Sequence, residues 1–309
     1  MRAIPGKGQG LVAVRAIACG ELRLDKAPLF AQQHYIHEES LAAALSRLSR
    51  DDQLRHHSLA NSWKGIHRPL SNIWLTNAIP CGTPEDPSGD ENEVEGIPPI
   101  AARFNASCRP DVYHWWDVVR QRLALRAERD IAEGEELTSA YTDILESRDE
   151  RRAQLQEHYN FDCCCVACSL TSRELRKSDR RREIIARIRA EMHGYADTAF
   201  GLERASDASG HRFARTRAQV ELALRLLEEE DLMGSYGTLF YKAAFDLRAL
   251  AGDAENARMW ARRTWELECA TKGPGSAPAR HWESLAAHPD EFEEFECEKD
   301  MYAFEGEEA

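Results

Sequence analysis

Four cysteines fall within six residues, at Cys163, Cys164, Cys165 and Cys168. They contain a C-x-C-x2-C run, and thiolates are the preferred ligands of a tetrahedral zinc ion. Such tight spacing lets three thiolates converge on one ion from a single loop; the bland alternative is a set of ordinary buried thiols. A closed structural site needs a fourth ligand. Cys164, His158, Cys108 and the distant Cys19 are the candidates, with Cys164 disfavoured because neighbouring cysteines rarely reach the same ion. The chain holds nine cysteines, an odd number spread unevenly. That argues against a secreted disulfide scaffold and for a reducing compartment, cytoplasm or nucleus.

Three further stretches carry chemistry only in combination. Gly6, Gly8 and Gly10 would let a backbone approach a ligand closely. The dinucleotide fingerprint is excluded, because no strand precedes the loop, no helix follows it, and Leu11 sits where the third glycine belongs. Residues 103–111 read Arg-Phe-Asn-Ala-Ser-Cys-Arg-Pro-Asp, and residues 134–141 read Gly-Glu-Glu-Leu-Thr-Ser-Ala-Tyr. Either alone is a plain turn and strand.

The elements that must position these residues follow from hydrophobic period and turn chemistry. Short strands are expected at residues 11–14, 22–24, 100–104, 113–118, 123–128 and 136–141. Residues 38–59 read as helical, with Leu41, Leu45 and Leu48 on one face. Residues 72–78 form a second helical candidate. Residues 80–99, rich in Pro, Gly, Asp and Glu, read as an exposed loop. Helices are expected at 148–159, 180–193, 217–230, 236–251 and 254–271. The pair spanning 236–271 resembles a tetratricopeptide hairpin. Residues 290–309 are an acidic tail with interleaved aromatics. The chain therefore divides near residue 175 into a β-rich and a helical half.

Charge and length narrow the function. The 309 residues carry 40 Lys and Arg against 53 Asp and Glu, a net charge of −13. That balance argues against tight sequence-independent DNA binding and is compatible with a basic partner, such as a Lys/Arg-rich peptide. No apolar run approaches the roughly 20 residues of a membrane span. The first residues lack an apolar signal core, so no secretory peptide is expected.

Taken in order, these motifs resemble the SET-domain protein lysine methyltransferases. They are most similar to SMYD-like and fungal SET proteins with a helical carboxyl-terminal region. The resemblance implies an α+β fold: a SET-type β-clip of short strands over residues 1–175, with an inserted helical segment at about 38–78 and a post-SET zinc region at 159–170. A tetratricopeptide-like helical domain would fill 176–309. It also implies S-adenosyl-L-methionine as cofactor, one structural zinc ion, a histone or other lysine-containing protein as substrate, and a monomer. The backbone of Lys7, Gly8, Gln9 and Gly10 would contact the cofactor. Asn77 would be a cofactor-facing asparagine, and Asn105 would meet the methionine part or the adenine edge. Tyr141 would face the transferring methyl group, with Tyr159 and Phe161 lining the adenine and lysine-channel side. Cys108, Cys163, Cys165 and Cys168 would share the zinc, leaving Cys164 free.

Two residues depart from the family pattern. Ala106 replaces the signature histidine, keeping its backbone contact and losing its side-chain packing. Asp111 replaces an asparagine. No cysteine lies between Cys19 and Cys81, so a MYND finger has no ligands there. These departures leave open a SET-like binding or scaffold protein without turnover. A zinc-stabilised interaction module without a cofactor is the third reading.

Overall fold

The computed structural model describes residues 1–21, 24–33, 37–66, 68–82, 94–196 and 211–288. Three small sheets build the first half. The first holds β1 (Arg2–Ile4), β2 (Gly8–Val12), β7 (Asn105–Ala106) and β10 (Glu136–Ser139), in the order β1-β2-β10-β7. Its β10 pairs antiparallel with β2 and parallel with β7, setting the glycine loop and the Asn105 segment on either side of the strand that leads to Tyr141. The second sheet holds β3 (Leu24–Lys26), β8 (Val112–Asp117) and β9 (Arg122–Ala127), in the order β3-β9-β8. The third holds β4 (Ala31–Gln33), β5 (Ile79–Pro80) and β6 (Val94–Gly96), with β6 in the middle.

Helices α1 (Glu38–Ser46), α2 (Arg50–His57) and α3 (Pro69–Asn77) form the insert. They pack around Leu41, Leu59, Ile73, Trp74 and Ile97. The helical run expected over 38–59 is interrupted at residues 47–49, because Ser49 caps α2 by accepting the Asp52 N–H. The loop expected at 80–99 is only partly irregular. Residues 83–93 lie outside the described residues, but Val94–Gly96 is a strand and Ile97 is fully buried. A Cβ at Gly96 would stand 2.8 Å from both Cys81 and Pro28, so the central strand needs glycine for this close approach. The strand expected at 100–104 is instead a 3-10 turn at Ala101–Arg103 followed by β7. Pro98 and Pro99 have no N–H for a ladder, and the Pro98 carbonyl accepts the Ala102 N–H to start the turn.

After the sheets come α4 (Arg148–Tyr159), α5 (Ser172–Ala196), α6 (His211–Glu230), α7 (Met233–Leu250), α8 (Ala254–Thr271) and α9 (Ala277–Ala287). Helix α9 is absent from the expected elements, although Ser276 as cap and Pro278 in the first turn are ordinary start signals. Cys297 and the acidic tail lie outside the described residues. One buried cluster joins Cys163, Cys165 and Leu155 to Ile185, Ile188, Leu224, Leu227 and Phe240. The core thus runs across the expected division near residue 175.

A buried ionic knot holds this junction. The Glu230 carboxylate, fully buried at the end of α6, accepts from Ser178 Oγ (2.6 Å), Arg181 Nε (2.6 Å) and Arg182 Nε (3.0 Å). Arg182, also fully buried, donates onward to the carbonyls of Cys108 (3.1 Å) and Ile144. Burial alone raises the Glu230 carboxyl, but the serine and arginines outweigh it and hold it below the ordinary value. Its folded pKa is therefore depressed, so this contribution to stability is present at neutral pH. It is lost as pH falls through and below the ordinary glutamate range. Glu230→Ala leaves Arg182 buried without its charge partner. The expected loss is about 3–5 kcal/mol at pH 7, read by urea denaturation, with a smaller difference from wild type in acid.

Candidate cofactor cleft and metal centre

The four sulfurs of Cys108, Cys163, Cys165 and Cys168 lie within 4.8 Å of one another, and all four residues are buried. Cys108 Sγ is 3.6 Å from Cys168 Sγ, and the Cys108 N–H points at Cys165 Sγ at 3.4 Å. Zinc–thiolate bonds of 2.3 Å in a tetrahedron put sulfurs about 3.8 Å apart, so the quartet fits one zinc ion. The surroundings agree. Arg151 is fully buried on α4, and its Nε and Nη2 have no hydrogen-bond partner. Its charge is supported electrostatically by Cys108 and Cys168. A buried, half-partnered guanidinium beside thiols calls for negative charge, which four thiolates around one dication supply. Cys164 is exposed and turned out of the quartet toward the cleft.

The cleft beside this centre has a volume of about 510 Å³. One wall is the β1–β2 turn, Gly6 to Gln9. Gly6 and Gly8 have φ of +74° and +78°, a backbone that side chains rarely tolerate. Asn105, Ala106 and Tyr141 line it as well, as do Tyr159 and Phe161 from the end of α4 and the residues just after it. Helix α4 is started by a Ser147–Glu150 capping box and stopped by Asn160 in the left-handed conformation. That stop turns the chain so that both Tyr159 and Phe161 reach the cleft. Their rings meet Tyr141, with centroids 4.9 Å and 6.5 Å away.

The Tyr141 hydroxyl donates to the Phe104 carbonyl at 2.6 Å. Burial pushes its pKa well up, so the phenol stays protonated through the alkaline range. Asn105 does not present a free amide: its Nδ2 donates to Glu136 Oε1 at 2.8 Å, while Lys7 Nζ pairs with Glu136 Oε2 at 2.7 Å. Glu136, unassigned from sequence, thus ties the glycine turn to β7 across β10.

Asn77 lines the cleft, with its amide donating to the carbonyls of Ala60 (2.8 Å) and Ile73 (2.7 Å). It fastens the end of α3 to the segment after α2. Gly10 does not line the cleft. It is buried behind it, where a Cβ would stand 2.6 Å from Asn105 Nδ2. Ser58, Ala60, Ser62, Arg103 and Asp162 line the cleft without having been singled out. Most come from the insert, whose arrival at the cavity is a tertiary event with no local pattern. Asp111, the departure from the family pattern, is a strut. Its buried carboxylate takes Arg129 Nη2 (2.5 Å) and Nε (2.9 Å) on one oxygen and the Thr138 N–H (2.8 Å) on the other. It fixes the strand that delivers Tyr141.

Residues 8–142 match the SET domain family. The chain carries a SET domain over that stretch. Among its relatives is "Histone-lysine N-methyltransferase set5" of Schizosaccharomyces pombe, 29% identical over 261 residues, which cover 84% of this chain and 74% of that protein. "Histone-lysine N-methyltransferase SMYD3" of Homo sapiens is 39% identical over 79 residues, 26% of this chain and 18% of that protein. "Histone-lysine N-methyltransferase SET5" of Yarrowia lipolytica is 36% identical over 88 residues, 27% of this chain and 19% of its own length. The chain is thus similar to SMYD-like and fungal SET proteins, and a helical region follows its SET sheets.

The metal centre makes a stoichiometric prediction. Elemental analysis of the purified chain is expected to give one zinc per molecule, unchanged in Cys164→Ser and lost in Cys163→Ser.

Proposed function

We propose that this SET-domain enzyme is an S-adenosylmethionine-dependent protein-lysine N-methyltransferase. One observation carries the reading: every residue expected at the cofactor, except Gly10, lines a single cleft, and Tyr141 stands in it between the glycine turn's neighbours and two further aromatic rings. When bound, S-adenosylmethionine supplies a methyl group on a positively charged sulfur, transferable to a neutral amine.

The residues of the chain account for the rest. Open turn backbone at Gly6 and Gly8 admits a ligand closely. The Phe104 carbonyl accepts the hydrogen bond of the Tyr141 O–H, which leaves the phenolic oxygen with lone pairs free to accept from a substrate amine and orient it. The phenol is neutral but electron-rich, which suits a cationic neighbour. A free lysine has a pKa near 10.4. The walls formed by Tyr141, Tyr159 and Phe161 disfavour its ammonium form and so favour the amine that can react. Positioning is then the main source of acceleration. The zinc centre takes no part in the chemistry; it holds Cys108, three residues from Asn105, against the loop that carries Phe161.

A lysine-bearing protein, histone or otherwise, is the substrate class, consistent with the chain's acidity and with the names of its relatives. A binding protein without turnover rests on Ala106, since Asp111 has a structural task. The deciding experiment compares wild type with Tyr141→Phe. Calorimetry is expected to show S-adenosylmethionine binding to both. Methyl transfer to a histone mixture is expected from wild type, and at least about a hundredfold less from the variant. Binding without any transfer by wild type would support the scaffold reading. Wild-type turnover is also expected to rise with pH from neutral toward 9 as the substrate amine loses its proton, with no downturn from Tyr141, whose raised pKa keeps it protonated.

A further inference from the structure

Arg103 lines the cleft beside Asn105 and Ala106. Its guanidinium is held by neutral groups: Nη2 donates to Ser58 Oγ at 2.6 Å, and Nη1 reaches the Ser58 carbonyl at 3.5 Å. Among the described residues no carboxylate lies within ion-pair distance of it. The other charged side chains of the same lining are balanced. Lys7 is neutralised by Glu136, and Asp162 is paired with Arg152. The cleft therefore carries one guanidinium whose charge is uncompensated, positioned by the residue that follows α2.

Resting on the reading above, we infer that Arg103 binds the carboxylate of the cofactor's methionine moiety and so selects an amino-acid-bearing sulfonium. The charge pattern of the ligand decides this. S-adenosylmethionine carries two positive centres, the sulfonium and the α-ammonium, and one negative one, the α-carboxylate. A guanidinium beside either positive centre is repelled, so the carboxylate is the group it suits. The geometry separates the two tasks. Electron-rich groups, the Phe104 carbonyl and the Tyr141 oxygen, gather at one place. The Arg103 side chain is instead drawn to Ser58, on the insert. A guanidinium also presents a planar donor fork that matches a carboxylate, and two of its nitrogens already fixed by Ser58 lower the ordering cost of that contact. Among the side chains of the lining, Lys7 is the competing cation. Its ammonium is engaged by Glu136 at 2.7 Å, with both side chains mostly shielded. A second carboxylate there would face Glu136 directly.

The test measures affinity by calorimetry on the full chain. The ligands are S-adenosylmethionine and its decarboxylated analogue, which keeps the sulfonium, the amine and the nucleoside. Wild type is expected to prefer S-adenosylmethionine by about ten- to hundredfold, the range for a charge-assisted pair. Arg103→Met is expected to lose most of that preference, weakening the carboxylate-bearing ligand while the analogue binds as before or more tightly. Arg103→Lys is expected to retain part of it. Zinc content and thermal unfolding midpoint, unchanged from wild type, exclude a folding defect. Equal preference in wild type and Arg103→Met, or loss of preference in Lys7→Met with Arg103→Met unaffected, overturns the assignment while leaving the methyltransferase reading intact. Failure of wild type to bind either sulfonium overturns both.

Discussion

The convergence of four thiols on one point is the constraint on which the rest of the structure depends. Cys108 belongs to the turn after β7, and Cys163, Cys165 and Cys168 belong to the loop after α4, more than fifty residues later in the chain. Nothing else among the short strands would fix these two stretches together strongly: β7 has two residues and β10 four. Joining them brings Tyr159 and Phe161 against Tyr141 in the lining of the cleft. The centre is structural in position and functional in consequence.

Around it the chain builds a charge-balanced shell. Arg151 faces the sulfurs from α4, and Arg182 holds the carbonyl of Cys108 from α5 while pairing with Glu230 of α6. Buried ion pairs of this kind contribute little net stability over an apolar substitute, but removing one partner is costly. Their arrangement explains why the helical half is more than an appended cap: it packs into the same core as the cysteine loop and grips Cys108 through its backbone carbonyl. Glu136 and Asp111 do the equivalent work inside the sheets, the first tying the glycine turn to Asn105 and the second bracing the strand to Tyr141.

Much of this was legible from residue type and order. The cysteine spacing, the glycine turn and the Asn105 and Tyr141 motifs pointed to residues that share one sulfur quartet or line one cleft, and helical period located α4 and α8 to the residue. The misses have physical causes. A strand was expected at 100–104 because Ile100 and Phe104 are apolar, but the two preceding prolines cannot join a ladder. Val94–Gly96 was hidden in a polar stretch, since a three-residue strand in the middle of a sheet needs pairing on both edges rather than a hydrophobic run of its own. Gly10 was read as a ligand contact, whereas its missing side chain makes room for Asn105. Ser58, Ala60 and Arg103 reach the cleft only because α1, α2 and α3 fold back around Trp74, and no local periodicity encodes that.

The central claim is that metal centre and cofactor cleft form one mechanical unit. The most direct measurement is S-adenosylmethionine affinity by calorimetry before and after zinc is stripped with a strong chelator, with metal content assayed on the same samples. The account predicts that binding disappears with the zinc and returns when zinc is restored. Full affinity in protein demonstrably free of zinc would contradict it.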